Sequence, residues 1–310
     1  MSILEGKILK MMAHAAFKNL GAMTLCVLAL FVTKVSSSEP FAKNSPALQT
    51  KSTQESHHSE WGLALENLKL KLDNRFSVIA QIARTLANDA HIHSWVQQGL
   101  KTEQETLLLE KLQFFLNTYN LTSVSFADKN SNRYYNHEGF LAVLTPTMAP
   151  WYFEYIASGK QDLVSVYHDK NKQRVDIYIN YQQQNGNGLS GVASAYNDYA
   201  DMLSKAYFPS PAALYIVDQI GKVQVRSNMR SNMHSNKGIF EDENIFERYF
   251  SGKERLRLNA MLDEKLVEKS TEWIELPKRT RYDKDNVDID HTMMGVSYLQ
   301  SIGWYLVVLK

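Results

Sequence analysis

The chain has 310 residues with 44% hydrophobic content, enough to bury a substantial core as one large domain or two modest ones. Lys plus Arg total 34 against 33 for Asp plus Glu, and the formal net charge of +1 provides no field that would gather nucleic acid or a strongly acidic partner. The single cysteine, Cys26, lies in an apolar N-terminal run, which excludes an intramolecular disulfide framework and any cysteine-based metal cluster.

Lys7, Lys10 and Lys18 precede the uncharged stretch Leu20 to Val32, LGAMTLCVLALFV. Thirteen residues suit the apolar segment of an export signal better than a full membrane span of about 20, while the weakly polar flank from Met11 extends the apolar run. Residues 1–35 are therefore expected to be a cleaved signal peptide, with small residues at Val35-Ser36-Ser37 for processing, or a retained membrane anchor. The lysines place the N-terminus in the cytoplasm and the rest of the chain outside. That locates the protein at a bacterial inner membrane with a periplasmic domain, or in the periplasm if the signal is removed.

Residues 36–60 contain serines, two prolines and no apolar periodicity, and are expected to be a linker. From Trp61, the residues Leu65, Leu68, Leu72, Phe76, Ile79, Ala83, Leu86 and Ala90 recur at spacings of three and four, one face of a helix of about 45 Å. This connecting helix, assigned to 61–101, runs the length of a fold or joins a homodimer. Thr102 with Glu105 has capping-box spacing for a second helix through Leu108, Leu112, Phe115 and Tyr119.

The period then changes to two. Strands are expected at Thr122–Ala127, Asn132–Tyr135, Leu163–Tyr167, Val175–Tyr181 and Leu189–Ala195, separated by Asp- and Asn-rich turns. Short helices fall near Trp151–Ala157 and Ala200–Ala206. Beyond Pro209-Ser210-Pro211 the grammar repeats: strands Ala213–Asp218 and Lys222–Ser227, helix Asn244–Phe250, then strands near Thr271–Leu276, His291–Leu299 and Trp304–Leu309. The fold class is α+β: a long N-terminal helix, a first unit over 102–208 and a smaller one over 209–310.

Several segments carry a family resemblance: Asn88–Gly99 (NDAHIHSWVQQG), Val124–Tyr135 (VSFADKNSNRYY), Pro150-Trp151-Tyr152, Tyr167-His168-Asp169 leading into Asp176–Tyr181, Tyr215–Asp218 with Gly221, and the closing Gly303–Val308. In this order and spacing the chain from Trp61 to Lys310 resembles the double-Cache sensor domains of bacterial chemoreceptors, histidine kinases and diguanylate cyclases. The resemblance implies two PAS-like antiparallel units, with a small-molecule ligand held by the membrane-distal one and movement passed on by the proximal one. The composition of the distal half agrees, with Tyr134, Trp151, Tyr152, Tyr167, Tyr178 and Tyr196 beside Arg133, Asp169 and Asn180 as candidate ligand contacts, since a pocket needs aromatic walls and a few fixed polar groups.

Two departures stand out. Amino-acid-binding members carry an arginine two residues before the Trp-Tyr pair and an aspartate near the end of the last distal strand; here these positions are Ala149 and Tyr196, so a bidentate carboxylate clamp is missing. No output module follows the final strand either, which implies a truncated receptor, the sensor portion of a diguanylate cyclase or chemoreceptor, or a stand-alone solute-binding protein with a separate signalling partner.

No H-E-x-x-H, G-x-S-x-G, G-x-x-x-x-G-K-[ST] or G-x-G-x-x-G occurs, so neither enzymatic activity nor a cofactor is expected. A periplasmic enzyme without these motifs and a surface adhesin are the competing classes. His91 and His93 diverge on a helix, and His57-His58 sit in the expected linker. Asp283, Asp285, Asp288 and Asp290 are oxygen ligands of the kind calcium takes, in a spacing that matches no known calcium loop. The RSNM repeat after Arg226 is too short for a solenoid.

Overall fold

The computed structural model describes residues 46–169, 173–227, 243–268, 271–276 and 292–310. The hydrophobic run 20–32, the aspartates at 283–290 and most of the RSNM repeat lie outside these residues. Among the described residues no helix is long and apolar enough to cross a membrane.

Helix α1 runs from Pro46 to Ala87, so residues 46–60 of the expected linker are helical. A proline at the first position suits a helix start, and the glutamines, glutamates and lysines that follow are good helix formers even without an apolar stripe. The predicted stripe is the buried face as far as Leu86: Trp61, Leu65, Leu68, Leu72, Phe76, Ile79, Ala83 and Leu86 are all buried, while Ala90, its expected last member, is exposed beyond the helix end. The helix breaks at Asn88, and α2 (Ala90–Gln97) restarts behind Asp89, whose carboxylate accepts from the backbone N–H groups of His91 and Ile92. Lys111 anchors the same carboxylate at 2.5 Å.

A single 3-10 turn (Thr102–Gln104) leads into α3 (Glu105–Thr118), and neither start has a side-chain cap. The capping box expected from Thr102 and Glu105 is not made, because the 3-10 turn displaces Thr102 from the N-cap position.

The first sheet contains β1 (Ser123–Asp128), β2 (Arg133–Asn136), β3 (Gly139–Val143), β4 (Asp162–Asp169), β5 (Arg174–Gln182) and β6 (Gly188–Ala195) in the order β3-β2-β1-β6-β5-β4, with helix α4 (Pro150–Ser158) inserted between β3 and β4. Helix α5 (Tyr196–Ser204) leads to the second sheet: β7 (Ala213–Val217), β8 (Val223–Arg226), β9 (Glu272–Glu275), β10 (Met293–Leu299) and β11 (Trp304–Leu309), ordered β8-β7-β11-β10-β9. Helices α6 (Ile245–Tyr249) and α7 (Gly252–Glu268) lie between β8 and β9. All pairings are antiparallel. Lys51–Lys310 is one compact unit that holds both sheets.

One core cluster runs along α1 and takes one face of each sheet: Val124, Phe126, Tyr135, Ile177, Ile179 and Val192 from the first, Leu214, Ile216, Leu299, Leu306 and Val308 from the second. At Gly295 on β10 a Cβ would stand 2.7 Å from Val308 Cγ1, 2.9 Å from the Trp273 ring and 3.0 Å from Leu65 Cδ2, so the close approach of α1 to the second sheet depends on that glycine. The outer face of the second sheet is covered by Ile245, Phe246, Phe250, Leu258 and Leu262 of the α6–α7 segment.

Candidate functional site

Strand parity decides which side chains share a face of the first sheet, because directly opposed residues in an antiparallel ladder point the same way. Phe126 is opposite Tyr135 and Ser190, and Val124 is opposite Val192; these face α1. The outer face therefore carries Ser123, Ser125 and Ala127 of β1, Tyr134 of β2, Tyr178 and Asn180 of β5, Gly191 and Ala193 of β6, and Tyr167 of β4. Its central strands supply small side chains, and the tyrosines stand around them.

Helix α4 closes one end of this face. Pro150 starts it and Gly159, at φ 66°, ends it in the left-handed conformation that glycine adopts without penalty. Tyr152 and Tyr155 are buried against Ala127 and Leu189, while Trp151 stays 42% exposed beside Tyr152, ring centroids 5.9 Å apart and edge-on. The Tyr155 hydroxyl donates to the carbonyls of Gln161 and Asn180. The Tyr152 hydroxyl is buried without a partner.

The polar groups of the face are set by close contacts. Ser125 Oγ donates to the Gly191 carbonyl at 3.0 Å. A Cβ on Gly191 would lie 2.7 Å from Asn180 Oδ1 and 2.8 Å from Ser125 Oγ, so only glycine leaves room for both groups there. Tyr167 and Tyr178 meet edge-on at 6.0 Å. Burial, with the Tyr134 phenol nearby, pushes the Tyr178 hydroxyl well above its usual range; burial does the same to Tyr134 against a hydrogen bond to Ser125, and to Tyr152 beside Asp128. All three phenols are neutral hydrogen-bond donors at neutral pH.

At the far end of the face, Arg174 Nε donates to Asp176 Oδ2 at 2.7 Å. Burial pushes the Asp176 carboxyl up against the pull of Thr122 and Arg174, and Oδ1 has no partner. Asp169, half-buried, lies directly opposite Arg174 in the ladder.

The structure brings Trp151, Tyr152, Tyr167, Asp169, Tyr178 and Asn180 to this outer face and its α4 edge. Two expected site residues lie elsewhere. Arg133, opposite Asp128, points to the α1 side, with its guanidinium 4.9 Å from the Phe140 ring; the alternation of β2 turns Tyr134 to the outer face in its place. Tyr196 starts α5, is buried in the α1 core, and its hydroxyl accepts from the Arg226 N–H of β8 at 3.3 Å. Asp198, two residues on, turns to Arg75 of α1 at 3.8 Å. Neither position offers an ammonium clamp to the outer face. Ser123, Ser125 and Gly191 were the residues to find, and the Val124–Phe126 alternation was their signal.

With Ser125 Oγ committed to a carbonyl, this face shows no activated nucleophile. Among the described residues no group of three or more His, Cys, Asp or Glu side chains is placed to hold a metal ion. What the face offers is neutral donors, an amide, carboxylates and aromatic walls around small residues, the chemistry of solute binding.

No family model matches the chain and no curated protein sequence does. Solved structures do. The sensory domain of the Campylobacter jejuni chemoreceptor Tlp3 aligns at TM-score 0.53 and 12% identity over 86% of this chain and 97% of that one. The Tlp3 ligand-binding domain in complex with 4-methylisoleucine gives 0.54 and 13%, over 86% and 95%. The extracellular domain of the putative histidine kinase mmHK1S-Z2 gives 0.51 and 11%, over 84% and 97%. At these identities the likeness establishes architecture: the chain has the two-unit fold of these receptor sensory domains, the fold that its resemblance to double-Cache domains implied.

Proposed function

We propose that this chain is an extracytoplasmic sensor domain of bacterial signal transduction that binds a small solute on the outer face of its first sheet and reports occupancy to a signalling partner without catalysing a reaction. The supporting observation is that face itself: Tyr134, Tyr178 and Tyr167 around Ser125, Gly191 and Ala193, with Asn180 in the floor and Trp151 at the rim. The run 20–32 delivers the domain across the inner membrane or holds it there.

The solute is one that does not need a carboxylate clamp. Ala149 stands where an arginine is expected, Arg133 faces away, and Arg174 is already paired with Asp176. The carboxylates of Asp169 and Asp176 at the end of this face suit an amine-bearing solute against the tyrosine rings. A melting screen is expected to give no shift with the standard amino acids and a saturable shift with a small amine, about 2.7 kcal/mol of stabilisation at a hundredfold excess over Kd. A shift with amino acids alone would contradict this reading.

The same proposal includes a homodimer through α1. Leu63 and Leu70 are exposed on one ridge with Asn67 and Asn74 between and beyond them, a 4-3-4 spacing with the polar seam positions that set register in parallel two-stranded packing. Tyr207 is exposed across the groove beside this ridge. Leu63→Glu with Leu70→Glu should convert dimer to monomer in sedimentation with an unchanged melting midpoint at limiting dilution; a monomeric wild type would remove the dimer from the account.

A further inference from the structure

A cavity lies away from the outer sheet face, between α2 and α3. We propose that it is a separate binding site for an uncharged, largely apolar small molecule. Its volume of about 520 Å³ is that of a site for a small organic ligand. Ile92, Trp95 and Leu108 form the buried floor. Trp95 meets Tyr135 edge-on at 5.2 Å, so this cleft is on the α1 side of the sheet, opposite the proposed solute face.

Two observations mark it as a site and not merely a surface dent. Leu107 and Phe114, seven residues apart on α3, line the cleft at 65% and 60% exposure. A single exposed apolar residue is ordinary, but two large ones two turns apart over an apolar floor leave a continuous water-facing patch that a ligand would cover. The polar groups at the mouth form a neutral chain: Gln104 Nε2 donates to Gln98 Oε1 at 3.2 Å, and Gln98 Nε2 donates to Ser94 Oγ at 3.0 Å. Such amides and hydroxyls serve a neutral hydrogen-bonding group.

The ionisable residues do not favour an ion. Lys111 is committed to Asp89 at 2.5 Å, and the remaining carboxylate at the mouth, Glu110, is exposed to water beside exposed His91. The cleft therefore presents no uncompensated buried charge, and an uncharged solute enters it at the lowest desolvation cost. The α1 dimer ridge from Leu63 to Asn74 shares no lining residue with this cleft.

The probe for the test is N-phenyl-1-naphthylamine, a neutral aromatic molecule with one N–H whose fluorescence rises in apolar surroundings. Titrated into the folded protein, it should bind saturably at one per chain. Leu107→Gln combined with Phe114→Gln changes only exposed side chains, so melting should be unaffected while affinity falls at least tenfold. Ser94→Trp, which fills the mouth from α2, should weaken the probe by a similar factor. Leu256→Gln, at an exposed leucine of α7, should leave affinity unchanged. Non-saturable uptake, undiminished binding in both cleft variants, or equal loss in Leu256→Gln would each overturn the proposal.

Discussion

Phe76→Ala is expected to destabilise the protein by about 3–5 kcal/mol, the range for truncating a fully buried aromatic. Phe76 is in the C-terminal third of α1, has no exposed surface, and stacks on Tyr199 of α5 with ring centroids 4.5 Å apart and planes within 8°. Its cluster contains side chains from both sheets. The loss should therefore lower one cooperative transition, measured in parallel by far-ultraviolet circular dichroism and tryptophan fluorescence in urea. Two separated transitions, with only one moved, would mean that the units do not share the α1 core.

Tyr152→Ala carries an expected cost of similar size, about 3–5 kcal/mol, because Tyr152 and not Trp151 is the buried member of the pair. Trp151 has a partly open position at the α4 edge, and its truncation should cost only about 1–2 kcal/mol. The informative variant is Tyr152→Phe. It removes a buried hydroxyl that has no protein partner, so stability should stay level or rise by about 1 kcal/mol. If that hydroxyl serves the bound solute, affinity falls in the same variant. A stability loss above about 1 kcal/mol would instead show a structural hydrogen bond at this position.

The α1 stripe was legible because eight apolar residues hold one helical face over seven turns, a pattern strong enough to survive without capping signals. Most strands were legible from alternation. β3 and α7 were not, nor was the break at Asn88 that makes α2 a separate helix. β3, GFLAV, is an edge strand with Phe140, Leu141 and Val143 all exposed, so it has no buried face to impose a period of two. α7 buries Leu258 and Leu262 in a mainly polar sequence, a stripe too narrow to register beside the charged residues around it. The site was legible by residue type but not by direction. Arg133 and Tyr134 are neighbours, and a shift of one position exchanges the faces of the sheet; Tyr196 was placed by counting on from Gly191-Val192 past the strand end at Ala195, where the chain has already turned into α5.

The central claim is that a solute is held on the outer face of the first sheet. Its most direct test is the melting shift given by a saturating small amine in wild type, Asp169→Ala and Trp151→Ala. The account predicts a saturable shift in wild type that is abolished by Asp169→Ala and strongly reduced by Trp151→Ala. A robust shift that survives both substitutions would contradict it and place the solute elsewhere in the molecule.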